Sequence, residues 1–373
     1  MDSATWCDSL RTGVNTGANA ASTLKRATGA RALQRPFGVR PVLQGGALKW
    51  QPISLHHQCN SIGDVNIHYE VIPMNEHLLP TIDFFGNKVT RLICGGNPLS
   101  GFSHVSAELD WEMICYYSMP NMMALLDECW RSGINTFQSR GDRHQMRAFL
   151  EHRQSGGQMQ WIAQTASEFA DIGANIHEIC RYEPVAVYHH GTHTDNSWRL
   201  GKIDRVEDVV KAIKDTGLPA GIGTHIPEVI EYVEEKGWET DFYMGCFYNL
   251  ARQYKSAPAT DQDAYRRDQF PEQDPLRMTE VLRSVPKPCI GFKIMAASRK
   301  CSTAETTREA FDFAFSHLKP TDAVVVGMFQ KYKNQVAENA ALVRGLLAET
   351  STESPIRRLS CSDTRGAIRQ VPS

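Results

Sequence analysis

The feature that most constrains this 373-residue chain is an alternation that repeats eight times between its two ends. Each unit is a short apolar run closed by polar, Gly or His residues, joined to a segment whose apolar positions have helical spacing. The runs are Val89 to Cys94, Ile134 to Phe137, Met159 to Ala163, Val185 to Tyr188, Ala220 to Ile222, Phe242 to Met244, Cys289 to Phe292 and Ala323 to Val326. Helical patterns lie around Met122 to Ser132, stopped by Gly133, and over Gln145 to Arg153. Others contain Ile176, Ile179 and Cys180, or run over Val206 to Thr216 and Glu228 to Lys236. The last three contain Met278, Val281 and Leu282, or run over Ala304 to Leu318 and Asn334 to Leu347. Alternation of this kind builds βαβ units around a parallel sheet, and eight units predict an α/β fold, a single (β/α)8 TIM barrel.

The barrel is expected over residues 88–349. Residues 46–87 precede its first strand, and Val65, Ile67 and Tyr69 alternate with polar neighbours there, which predicts a strand or hairpin capping the barrel bottom. Residues 1–45 are rich in Ala, Gly, Ser, Thr and Arg and lack periodicity, so they read as a disordered leader, or as a transit-peptide-like segment. Residues 350–373 read as a second polar, disordered tail.

Composition narrows the function classes. Forty Lys plus Arg against 42 Asp plus Glu leave a net charge of −2, and no basic stripe is interleaved with aromatics, so nucleic acid is not an expected partner. No apolar stretch is long enough to span a membrane, and the ten cysteines are scattered without a Cys-x-x-Cys pair, as reduced thiols are. A cytoplasmic location and a small-molecule substrate are expected.

In a TIM barrel the chemistry sits at the carboxyl ends of the strands. Here these ends are polar: Gly95-Gly96-Asn97, then Gln138 through His144, Gln164-Thr165, His189-His190 with His193 beyond, Thr224-His225, Cys246 through Asn249, and Lys293. Histidines on separate strand ends that meet at one rim suit proton transfer or metal ligation. His190 and His225 are therefore expected as acid–base groups. Lys293, flanked by Phe292, Ile294 and Met295, is expected to be shielded and usable as a base or carbonyl nucleophile. Asp142 is a candidate general base. Asn97, Arg143, Gln164, Tyr248 and Asn249 are candidate substrate contacts, and Cys246 reads chiefly as a packed thiol. His144, His189, His190 and His225 offer a seat for Mn²⁺ or Zn²⁺, although no ligand spacing singles out a metal.

The order of segments resembles the aldo-keto reductase superfamily. The likeness is carried by Ile82 to Leu92 with Cys94 to Asn97, Gly133 to Phe137, Val187 to His190, Leu218 to Thr224, and Val324 to Met328 with Val336 to Asn339. The resemblance implies the barrel fold and a site at these strand ends. Its hydride chemistry uses an Asp, a Tyr, a Lys and a His. The matching positions here hold Gln138, Arg143, Gln164 or Thr165, and His189 or His190; Thr224-His225 replaces the family's Ser-Asn, and Cys246 lies at or near its Gln. Without the Tyr and Lys, the acid that protonates a carbonyl as hydride arrives is missing. The leading expectation is thus a lyase, isomerase or hydrolase acting on a small sugar-like or carbonyl substrate. An NADP-linked oxidoreductase with a rearranged proton donor comes second, and a catalytically silent ligand-binding barrel third.

Overall fold

The computed structural model describes residues 39–44, 47–52, 54–55, 69–70, 77–166, 168–255 and 269–352. Apart from their inner edges, the expected leader and tail lie outside these residues, as do Val65 and Ile67 of the expected capping strand.

Four short strands pair antiparallel: β1 (Val39–Gln44) with β2 (Ala47–Pro52), and β3 (Ser54–Leu55) with β4 (Tyr69–Glu70). Strand β1 falls inside the span read as an unstructured leader. The signal for it is Gly45-Gly46, a pair suited to a tight hairpin turn, set between segments that contain Val39, Val42 and Leu48. A second hairpin, β5 (Thr81–Phe84) with β6 (Asn87–Thr90), turns through Phe85 and Gly86 at φ 54° and 83°. Positive φ at both central residues matches the twist of the flanking strands, and Gly at the second position tolerates it without cost.

The barrel strands follow: β7 (Leu92–Gly95), β8 (Thr136–Arg140), β9 (Gln160–Gln164), β10 (Ala186–His189), β11 (Ala220–Thr224), β12 (Phe242–Cys246), β13 (Cys289–Phe292) and β14 (Ala323–Gly327). They pair in sequence order, all parallel, and close where β14 meets β7 with Val325 opposite Ile93. The expected α/β fold and single eight-stranded barrel are what the chain forms. The run Val89 to Cys94 divides, however: β6 ends at Thr90 and β7 begins past Arg91, whose Nε donates to the Asp322 carbonyl at 3.0 Å. The apolar residues on both sides hid this corner.

Helices α1 (Ala107–Tyr116), α2 (Met119–Arg131), α3 (Arg143–Gln154), α4 (Ile172–Cys180), α5 (Gly191–Arg199), α6 (Asp204–Lys214), α7 (Pro227–Lys236), α8 (Asp274–Ser284), α9 (Ala304–His317) and α10 (Gln335–Thr352) complete the described elements. Helices α1 and α5 were not anticipated. In α1 the apolar Trp111 and Ile114 are exposed, and α5 reads Gly-Thr-His-Thr-Asp-Asn-Ser-Trp-Arg, so neither carries a clear apolar face. Among the described residues, no helix is long and apolar enough to cross a membrane.

Alternate strand residues fill the barrel interior. Ile93, Ile162, Tyr188, Phe242, Met244 and Ile290 form one apolar cluster with Ile82, Phe84 and Val89 of the second hairpin. Phe84 meets Phe242 edge-on at 5.1 Å, so the hairpin plugs the amino-terminal end. Gly221 makes room for this packing, since a Cβ there would lie 2.5 Å from the Phe242 ring. The plug is tied down by buried Asn135, whose Oδ1 accepts from the Thr90 N–H at 3.0 Å and whose Nδ2 donates to the Lys88 carbonyl at 2.7 Å. Asn135→Ala strands the Thr90 N–H and leaves the Lys88 carbonyl to Gln160 Nε2 alone, at 2.8 Å; it is expected to cost about 1–3 kcal/mol, read as a lower urea midpoint with an unchanged slope.

Candidate active site

Side chains alternate along a strand, so the inward positions can be followed to the carboxyl ends. From Tyr188 and Phe242–Met244 the next inward positions are His190 and Cys246. From Ile162 and Ile290 they are Gln164 and Phe292. Gly221, facing Phe242, places His225 in the same series. The phenol of Tyr188 accepts from Gln138 Nε2 at 2.7 Å and also hydrogen-bonds Gln164, forming a polar layer beneath the mouth. Burial pushes the Tyr188 hydroxyl well above the usual phenol range.

Helix α5 supplies the partner for His225. Asp195, 2% exposed, accepts from His225 Nδ1 at 2.7 Å through Oδ2 and from the Thr224 hydroxyl at 2.6 Å through Oδ1. The His225 N–H also donates to this carboxylate, at 3.2 Å to Oδ1. The remaining ring nitrogen, Nε2, is the one left for Cys246, whose thiol is within hydrogen-bonding reach. Burial works against a charged imidazole here, but the negative charges of Cys246, when it is a thiolate, and of Asp195 exceed it and lift the His225 pKa to about 10. Phe292 covers the ring at 5.4 Å. Asp195 was missed by sequence reasoning because it lies in an unanticipated helix, 30 residues from His225.

The other histidines behave oppositely. His190 is the N-cap of α5, its Nδ1 accepting from the Thr192 N–H at 3.2 Å. That bond places the ring proton on Nε2, which is left as a donor. Burial, then the charges of His193, Arg140, His189 and His225, hold its pKa well below the ordinary value. His189 turns to the outer side of the sheet. There the Thr165 hydroxyl, which already accepts from the His190 N–H at 3.1 Å, is 3.2 Å from His189 Nδ1. Burial and His193 drive its pKa down to about 3. His193 stands 5.4 Å from the His190 ring, and its pKa is lowered by burial and by Arg140. A cavity of about 250 Å³ opens against Thr165, Phe169, His189, His190, His193 and Arg205.

A second cleft, of about 500 Å³, is lined by Ser100, Arg140, Asp142, Arg143, His144 and Glu168, among others. Asp142 caps α3, its Oδ1 accepting from the Gln145 N–H at 2.9 Å, and its Oδ2 lies 3.5 Å from Arg140 Nε. Arg143 is mostly exposed, with its Nε 3.8 Å from Glu178. His144 Nε2 is 3.3 Å from the Leu99 carbonyl. Asn97 opens a short 3-10 helix, Asn97–Ser100, beside Gly96; a Cβ on Gly96 would lie 2.5 Å from Ser139, so this glycine serves close packing. Tyr248 is buried edge-on to Phe270 at 5.0 Å, and the Asn249 N–H donates to Asp274 Oδ2 at 3.0 Å. Lys293 sits half-buried at the rim, in the left-handed region at φ 57°, with Nζ 2.8 Å from His104 Nε2.

His144, His189, His190 and His225, the four histidines expected to seat a metal, each make another contact. Among the described residues no three His, Cys, Asp or Glu side chains are arranged to hold one, since His225 Nδ1 is taken by Asp195, His189 Nδ1 faces Thr165 and His144 faces a backbone carbonyl.

No protein-family profile and no curated protein matches this sequence. Among solved structures, the chain is similar to a truncated 3-deoxy-D-arabino-heptulosonate 7-phosphate synthase from Thermotoga maritima, at 10% identity and TM-score 0.44 over 74% of this chain and 92% of that one. It is also similar to the Amycolatopsis orientalis BexX/CysO complex, at 12% and 0.43 over 74% and 98%. A Rubisco-like protein from Rhodopseudomonas palustris follows at 10% and 0.38 over 64% and 62%. At these identities and scores the likenesses carry no reaction or ligand; the closed strand order itself makes this a (β/α)8-barrel protein.

Proposed function

We propose that this barrel is an enzyme that moves protons on a small polar substrate, sugar-like or carbonyl-containing, without hydride transfer. The observation that carries the reading is a pair of histidines at the ends of neighbouring strands in opposite settings: His225 Nδ1 lies 2.7 Å from buried Asp195, whereas His190 Nδ1 accepts from the Thr192 N–H and its ring proton is left on Nε2. Environments that drive two like groups apart assign them different roles within one site. His225, charged and oriented by Asp195, is the acid that delivers a proton to a carbonyl or leaving-group oxygen, and once neutral it takes up the proton released from the substrate, which restores its starting state. His190 stays neutral and offers its Nε2–H to polarise the same group, as a neutral imidazole at a helix N-terminus can. The aldo-keto reductase resemblance supplies the frame of strand ends. With Gln138, Arg143 and Gln164 or Thr165 in place of that family's Asp, Tyr and Lys, it supplies no acid for reduction.

The reading is tested in D₂O with a panel of short aldoses, ketoses and hydroxy acids followed by proton NMR. Cleavage, isomerisation or deuterium uptake beside the carbonyl is expected with the wild-type chain, and at least about 100-fold less with His225→Asn. Reduction of the panel at the expense of NADPH, or full turnover by His225→Asn, would overturn it.

A further inference from the structure

Resting on that reading, we infer that Arg140 is the anchor for an oxyanion of the substrate, a carboxylate or a phosphate, and that the carboxylate of Glu168 fills this seat here. Arg140 closes β8 two residues beyond the inward Gln138, and its charge acts on His190 and His193. Its guanidinium lies over the Phe102 ring at 5.6 Å, and its side chain is only 19% exposed. A guanidinium this far out of water needs a negative partner, and its flat fork favours two-oxygen groups.

Two carboxylates reach it, and they are not equivalent. Asp142 spends one oxygen on capping α3 and stands off at 3.5 Å from Nε. Glu168 pairs directly with Nη2, from the loop after β9, with 45% of its side chain exposed. The cleft of about 500 Å³ opens between these groups, with Ser100 and His144 on its wall, so a ligand can approach the seat from the side where Glu168 sits. Exchanging one carboxylate for another anion leaves the buried charge balanced, whereas a neutral ligand would strand Arg140.

The test is direct binding by the full chain, with no turnover in the readout, so its outcome is separate from that of the proton-transfer reading. Inorganic phosphate and acetate are titrated separately by calorimetry at fixed ionic strength. The proteins are the wild type, Glu168→Gln and Arg140→Gln. Removing the internal competitor is expected to tighten one of the two anions by about tenfold in Glu168→Gln, and Arg140→Gln is expected to bind neither. Tightening of phosphate alone identifies a phosphorylated ligand class, and tightening of acetate a carboxylate. Equal affinity in wild type and Glu168→Gln, no binding by either, or binding retained in Arg140→Gln would each overturn the inference. If Arg140→Gln fails to fold, the comparison of wild type with Glu168→Gln decides alone.

Discussion

Asp195→Ala is expected to lose about 3–5 kcal/mol of folding stability, a large share of what a domain has to lose. The substitution removes the acceptor for the Thr224 hydroxyl, for the His225 N–H and for the His225 ring at once, all of them buried. It also leaves the His225 charge without its carboxylate, and a buried charge without a partner costs more than the pair contributed. Asp195→Asn keeps one oxygen acceptor and is expected to lose less than half as much. Urea unfolding of the two variants separates the terms, and nitrogen NMR of the His225 ring should show its pKa falling in both. An unchanged His225 titration would remove Asp195 from its role.

Stability should peak near pH 6.5 and fall on both sides, through different histidines. His189 and His190 are neutral when folded but take up protons readily when unfolded. Stability therefore drops as pH falls from about 6.5, with the His189 limb extending to about pH 3. His225 has the opposite sign. Its raised pKa contributes in full below about pH 6.5, and that contribution is lost as pH rises toward about 10. Each limb is on the order of several kcal/mol. Unfolding free energies measured from pH 4 to 10 should show His189→Asn flattening the acid limb and His225→Asn the alkaline one. A flat profile from pH 4.5 to 9 would contradict the burial of these groups.

The barrel was legible because its strands are dense in Val, Ile and Phe and its outer helices repeat apolar residues at helical spacing. Where those signals lapse, the reading lapsed too. Helix α5 is polar because it packs by hydrogen bonds, through Asp195 and the His190 cap, rather than by an apolar stripe. The site divides the same way. His190 and His225 could be picked out because strand ends converge in any such barrel. Arg140 and Asp195 could not be ranked, because only tertiary contact distinguishes Arg140 from the exposed Arg143, or Asp195 from the chain's other carboxylates.

The hairpin that plugs the amino-terminal end also sets the traffic of the molecule. With Phe84 wedged against Phe242, the described residues beneath Tyr188 form a packed floor under anything held above it. Arrival and departure then share one doorway, between the loops at the carboxyl ends. On the proton-transfer reading, a product that lingers there would block the next substrate, so inhibition by product should be competitive, and release should set the pace whenever the product keeps its grip on the doorway.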